Sequence, residues 1–158
     1  MESADSQKES LDVIIYTGGT FDMFHRGHVR FLKACRDLAG ESGLVVVALN
    51  QDDFIEQFKK RKPICSFEER HEVLSACRYV NRVIPNWGGA DSKPAILNVM
   101  PDVIAIGSDW KPPRDYHAQM QFTPEWLDQH DIRLVFINRT NGCSQKSLRS
   151  SNSTIINQ

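Results

Sequence analysis

The residues best able to do chemistry lie together between Gly18 and His28, in the segment GGTFDMFHRGH. Gly18 and Gly19 let a backbone turn sharply and come close to a ligand. Thr20 adds a hydroxyl. His25 and His28 stand three positions apart, so they share one face at the start of a helix, and Gly27 leaves no side chain between them. A helix N-terminus contributes unpaired N–H groups and a partial positive charge. Such a set suits a polyphosphate, because two imidazoles can donate to the oxygens that gain charge when an α-phosphate is attacked. The spacing also excludes other chemistries. No Gly-Lys-Ser/Thr follows, Gly-x-Gly-x-x-Gly is absent, and so is His-Glu-x-x-His.

The elements that would position this segment alternate between strand and helix patterns. Leu11–Tyr16 is a short β-branched run ending in Thr-Gly-Gly, read as a strand followed by a tight turn. From Gly27 the period becomes helical, with Val29, Phe31, Leu32, Cys35 and Leu38 on one face and Arg30, Lys33 and Arg36 toward water. Gly40 and Gly43 stop that helix. The near-continuous apolar run Gly43–Leu49 suits a strand covered on both faces. A charged stretch, Gln51–Lys62, carries the run KKRK and reads as mobile. Ser66 with Glu69 forms a capping box for a helix reaching about Cys77.

Further on, Arg82–Pro85 reads as a strand, Ala90–Asn98 as a helix and Pro101–Ile106 as a strand. Ser108–Thr123 reads as a long irregular loop, of the kind that often serves as a lid. Thr123 caps a helix through Gln129 with Pro124 at its first position, and Ile132–Ile137 is the last strand. Ser144 could cap a final short helix. Strands spaced by helices imply an α/β fold: a single-domain, Rossmann-like, doubly wound parallel sheet of about five strands. Ligands in such sheets sit outside the carboxyl ends of the strands, near the switch in strand order.

Composition narrows the class. The chain has 158 residues, enough for one domain, which we place at 11–149 between polar tails at 1–10 and 150–158. A formal net charge of −1 gives no general attraction to nucleic acid or to an anionic membrane. No apolar run nears the roughly 20 residues of a spanning helix. The first ten residues lack the apolar core of a signal peptide, and the four cysteines form no Cys-x-x-Cys pair. Reduced thiols and a cytoplasmic location are the expectation.

The segment Gly18–His28 resembles the cytidylyltransferase-like group of nucleotidyltransferases, whose signature is Gly-Thr-Phe-Asp followed by His-x-Gly-His. Four more motifs follow in order. Lys62-Pro63 with Arg70 is similar to the group's middle motif, and Arg78-Tyr79-Val80 to the Arg-Tyr-Val that closes the next helix. Gly107-Ser108-Asp109-Trp110 resembles the Gly-Asp-Asp-Trp of bacterial glycerol-3-phosphate cytidylyltransferases. Arg139-Thr140-Asn141-Gly142-Cys143-Ser144 resembles their Arg-Thr-Glu-Gly-Ile-Ser.

The resemblance implies a reaction without a covalent enzyme intermediate, in which CTP and a small alcohol phosphate, glycerol 3-phosphate first, give a CDP-alcohol and pyrophosphate. Positioning and charge neutralisation would supply most of the catalysis. His25, His28 and Lys62 would be catalytic, with Lys59 as a helper of Lys62. Gly18, Gly19, Thr20, Phe21, Arg78, Asp109, Arg139, Thr140, Ser144 and Gln145 would bind nucleotide. Arg70, Trp110, His117 and Asp22 are the candidates on the acceptor side. For Asp22 a brace across the turn is the stronger reading. Asp109 and Trp110 would flank either base or acceptor, and Trp110 could equally be core.

Mg²⁺ would arrive with the triphosphate, since no carboxylate cluster forms a cage for it. A homodimer meeting near Arg78-Tyr79-Val80 is implied as well. One departure stands out: the group has Ser-Thr-Thr where this chain has Ser144-Gln145-Lys146. The Gln145 amide or the Lys146 charge would replace a hydroxyl. That leaves two alternatives beside the first reading. One is the same chemistry on other substrates, as in enzymes that adenylylate sugar phosphates, FMN or phosphopantetheine, or make CDP-ethanolamine or CDP-choline. The other is a non-catalytic nucleotide-binding protein.

Overall fold

A computed structural model describes residues 12–138. Five parallel strands form one sheet in the order β3-β2-β1-β4-β5. They are β1 (Ile14–Gly19), β2 (Leu44–Leu49), β3 (Arg82–Pro85), β4 (Val103–Gly107) and β5 (Arg133–Ile137). The helices are α1 (Arg26–Ala39), α2 (Asp52–Lys59), α3 (Phe67–Ala76), α4 (Lys93–Val99), α5 (Tyr116–Met120) and α6 (Pro124–Gln129). The expected doubly wound α/β sheet is present. Its order reverses between β1 and β4, which places the crevice over the carboxyl end of β1.

The strands are apolar because helices cover both faces. In β2, five of six residues are buried. Alternation along β1 divides the core. Ile15 packs with Cys35 and Ala39 of α1, whereas Tyr16 packs with Ala95, Ile96 and Val99 of α4 and Leu127 of α6. Leu32 of α1 and Leu74 of α3 close the first face beside Val47 and Leu49. Burying each such aliphatic side chain contributes roughly 1.5–3 kcal/mol.

Several boundaries and roles differ from the sequence expectations. Gly18 and Gly19 are the last two residues of β1 and not the turn after it. The left-handed positions are Phe21 (φ 50°) and Met23 (φ 49°). Gly19 is needed for another reason: a Cβ there would lie 2.8 Å from the Phe21 ring, which folds back over it. The stretch 51–62 is helical over Asp52–Lys59 and turns at Lys60 (φ 59°), because Phe54 and Ile55 anchor it to the domain.

The segment 108–123 is not irregular: a 3₁₀ turn at Ser108–Trp110 and the helix α5 occupy it, the latter capped by Asp115 through Ala118 N–H. On α1, Leu38 is 45% exposed, while Arg36, expected to face water, donates to the carbonyls of Gly40 and Gly43 and to Asn81 Oδ1. The guanidinium caps the end of α1 and so draws its stem inward. The expected caps at Ser66 and at Thr123 with Pro124 are present.

Candidate active site

A cavity of about 460 Å³ opens over the carboxyl ends of the strands. One wall is the head of α1. His25 is the N-cap residue of that helix, and its Nδ1 accepts from Gly27 N–H at 3.0 Å. His28 Nδ1 accepts from His25 N–H at 3.2 Å, so the two imidazoles form a reciprocal capping box. A backbone N–H can only donate, so in the neutral rings each proton sits on Nε2. The caps therefore fix the tautomer and leave Nε2–H as the donor end of each ring. The rings stack at 3.9 Å between centroids, with Phe24 and Phe21 packed against His28 at 5.4 and 5.3 Å.

The turn carrying these histidines is held from below. Asp22 is buried, and its carboxylate accepts from the N–H groups of Met23, Ile64 and Cys65. Arg70 is 2% exposed. Its guanidinium donates to the carbonyls of Thr20, Asn50 and Cys65 and to Asp52 Oδ1. This arginine, expected at the acceptor's phosphate or the triphosphate, is buried off the cavity lining instead, tying three loops together. Asp22 does the same from the other side, in line with the bracing reading.

Gly18, Gly19, Thr20, Phe21, His25, His28, Asp109 and Trp110 all line the cavity. Lys62 does not: it is exposed beyond the turn at Lys60, and Lys59 is the lysine of that run on the wall. The helix α2 ends between them, at Lys59, with Lys60 in the left-handed region. Arg78 is exposed and lies over the Tyr79 ring at 5.3 Å, just past the end of α3, away from the cavity. His117 packs edge-on against Phe122 and does not reach the cavity, although Tyr116, Gln119 and Met120 of the same helix do. Arg139, Thr140, Ser144 and Gln145 lie outside the described residues.

Sequence reasoning missed a row of asparagines. Asn50, Asn86 and Asn138 each stand immediately after a strand, β2, β3 and β5, and all three line the cavity. Asn50 Nδ2 donates to Thr20 Oγ1 at 3.2 Å, and Asn86 Nδ2 donates to Asn50 Oδ1 at 3.0 Å. The signal was legible: a polar amide directly following an apolar strand, at the sheet edge where ligands bind. The aromatic pair Phe54 and Phe58 on α2, stacked at 5.7 Å, was missed as well, because the stretch was read as a mobile charged run.

The charge balance favours an anion. Histidines, Arg30 and Lys59 line the cavity, and Asp109 is the one carboxylate among its described lining residues. Asp109 lies 3.6 Å from Arg114, which stacks over Trp110 at 3.9 Å from the ring centroid. Among the described residues no group of three His, Cys, Asp or Glu could hold a metal ion. This donor set fits a cation carried in on the phosphates.

Fold and site together define a nucleotide-handling α/β protein of the Rossmann-like kind. The cytidylyltransferase-like family model matches residues 16–151, and the chain belongs to that family. It is thereby a nucleotidyltransferase. The chain is 43% identical over 95 residues to an FAD synthase of Pyrococcus horikoshii, covering 60% of this chain and 62% of that protein. It is 32% identical over 135 residues to the glycerol-3-phosphate cytidylyltransferase of Bacillus subtilis, covering 85% of this chain and 93% of that one. Among solved structures, a lipopolysaccharide core biosynthesis protein from Thermoplasma volcanium matches with a TM-score of 0.62 and 25% identity, over 81% of this chain and 96% of that one. Among the described residues no helix is long and apolar enough to cross a membrane.

Proposed function

We propose that the protein joins CTP to a small alcohol phosphate, glycerol 3-phosphate in the first instance, releasing pyrophosphate. The observation that carries this reading is the stacked, capped histidine pair on the wall of a cavity that also holds Asp109 and Trp110. A phosphate oxygen of the acceptor attacks the α-phosphorus in line. The new O–P bond forms as the bond to the β-phosphate oxygen breaks, and pyrophosphate leaves with the electron pair. His25 and His28 donate through Nε2–H to the oxygens that gain charge. Lys59, on α2, neutralises the phosphates from the opposite side. Mg²⁺ bound to the triphosphate would supply further charge neutralisation there. Similarity over 93% of the Bacillus subtilis cytidylyltransferase supports the acceptor class.

A second reading keeps the chemistry and changes the substrates: adenylyl transfer from ATP to FMN. The identity to the Pyrococcus horikoshii FAD synthase favours it, and so does the half-exposed Phe54–Phe58 stack, which offers a flat apolar surface to a planar ring. One assay separates the readings. The protein is incubated with each nucleoside triphosphate, Mg²⁺ and a panel of phosphorylated alcohols, and pyrophosphate release is followed. CTP with glycerol 3-phosphate is expected to turn over fastest. ATP with FMN turning over fastest replaces the first reading by the second. Tight nucleotide binding without turnover by any pair points to a binding protein.

A further inference from the structure

The cavity has a second polar feature, on the face of the sheet opposite α1. Tyr16 and Tyr116 are 0% and 3% exposed, and both line the cavity. Neither Oη atom has a hydrogen-bond partner among the described residues. Burial raises both phenols above their ordinary range, and the nearby Tyr16 raises Tyr116 further, so both remain neutral O–H groups. Buried hydroxyls are nearly always paired in folded proteins, because an unpaired one destabilises the fold. Two phenols unpaired in the same cavity wall are therefore unusual. Phenylalanine would fill the same space without that cost.

What covers them is movable. Gly18 lies on the same side of β1 as Tyr16, and a Cβ at Gly18 would sit 3.6 Å from Tyr16 Oη and 3.7 Å from Met120 Cε. The absent side chain leaves the space above the phenol to the tip of a flexible methionine. The other surroundings are apolar: Ile106, Trp110 and Phe122 pack in the same cluster. A charged group entering here would lose its hydration with no opposite charge to meet it. A neutral hydroxyl or carbonyl would find two donors that can also accept.

We propose that Tyr16 and Tyr116 hold the uncharged, hydroxyl- or carbonyl-bearing end of one of the two substrates, with Met120 moving aside to admit it. This rests on the nucleotidyl-transfer reading and refines it. Two sources share that chemistry: the edge of the nucleobase, or the end of the acceptor remote from its phosphate. Acceptors ending in an ammonium group do not fit.

The test is binding, measured by calorimetry on the unaltered chain and on Tyr16→Phe and Tyr116→Phe, with CTP, ATP, glycerol 3-phosphate, FMN and ethanolamine phosphate as probes. Thermal unfolding is recorded without ligand. Each substitution is expected to weaken binding of one substrate class about fivefold or more. Each is also expected to raise Tm by about 2–4 °C, because an unpaired hydroxyl has been removed. A loss confined to CTP or ATP assigns the phenols to the base, and a loss confined to glycerol 3-phosphate or FMN assigns them to the acceptor. Ethanolamine phosphate is expected to bind no tighter to the unaltered chain than to the variants. Unchanged binding of every probe, or a fall in Tm, overturns the proposal. Failure of the transfer reading shows separately, as no pyrophosphate release by the unaltered chain, and leaves the binding comparison decisive.

Discussion

The two walls of the cavity are built on different plans. The histidine wall is organised by backbone: each imidazole caps the helix that carries it, and the turn below is pinned by Asp22 and Arg70 through main-chain groups. The aromatic wall is organised by side chains. Trp110, Tyr116 and Phe122 pack in succession at 5.5 and 6.0 Å, and the phenols of Tyr16 and Tyr116 have no hydrogen-bond partner among the described residues. On the proposed function, the first wall is a pre-set array of donors that need not reorganise during the reaction. The second leaves hydrogen-bonding capacity unspent for a ligand to use.

The difference is broken most severely at His28. His28→Ala removes both the donor and half of the capping box, and kcat is expected to fall by a factor of about 10² or more, read from initial rates of pyrophosphate release. A variant with full activity would remove the histidine wall from the chemistry. Arg70→Ala tests the support behind that wall. Asp52 is 40% exposed and can regain water, so the loss is expected at the lower end for a buried pair, about 3 kcal/mol. Thermal unfolding without substrates would show it as a fall of roughly 6–12 °C. A weakened acceptor KM with unchanged Tm would return Arg70 to the binding role expected from sequence.

How much was legible in the sequence follows the same division. The sheet, the strand Arg82–Pro85 and the caps at Ser66 and Thr123 were readable, because apolar period and capping residues act over a few positions. The histidine pair was readable for the same reason. The roles of Arg70 and Lys62 were not. Nothing local shows that Arg70 is enclosed by carbonyls from positions 20 and 50, or that α2 ends after Lys59. Of the aromatic wall only Trp110 was named, because α5 is five residues long and, beyond its Asp115 cap, is held by packing in one cluster with β1 and α4.

Smaller effects sharpen the comparison. Lys59→Ala is expected to raise KM for the nucleotide about fivefold, and Lys62→Ala to change it less than about twofold, since Lys59 is on the wall and Lys62 is not. The reverse order in steady-state kinetics would put the basic run in a different path from the one described. The smallest effect concerns the buried face of α1. Burial pushes the Cys35 thiol up to about 12, whereas an unfolded thiol ionises near pH 8.5. The folded state therefore holds its advantage below about pH 8.5 and loses it as pH rises beyond that. At pH 8, mass spectrometry after iodoacetamide treatment is expected to find Cys35 unmodified until the protein is denatured. Labelling in the folded state would mean that α1 does not seal the face beneath the histidines.

The most direct measurement is the protonation pattern of the two imidazoles, read by long-range ¹H–¹⁵N NMR correlation before and after CTP is added. Both His25 and His28 are expected as neutral Nε2–H tautomers, with Nε2 resonances that move on addition of nucleotide while Nδ1 stays an acceptor of backbone N–H. A proton on Nδ1 of either ring, or Nε2 signals indifferent to CTP and to ATP alike, would contradict a phosphate site built on the capped histidine pair.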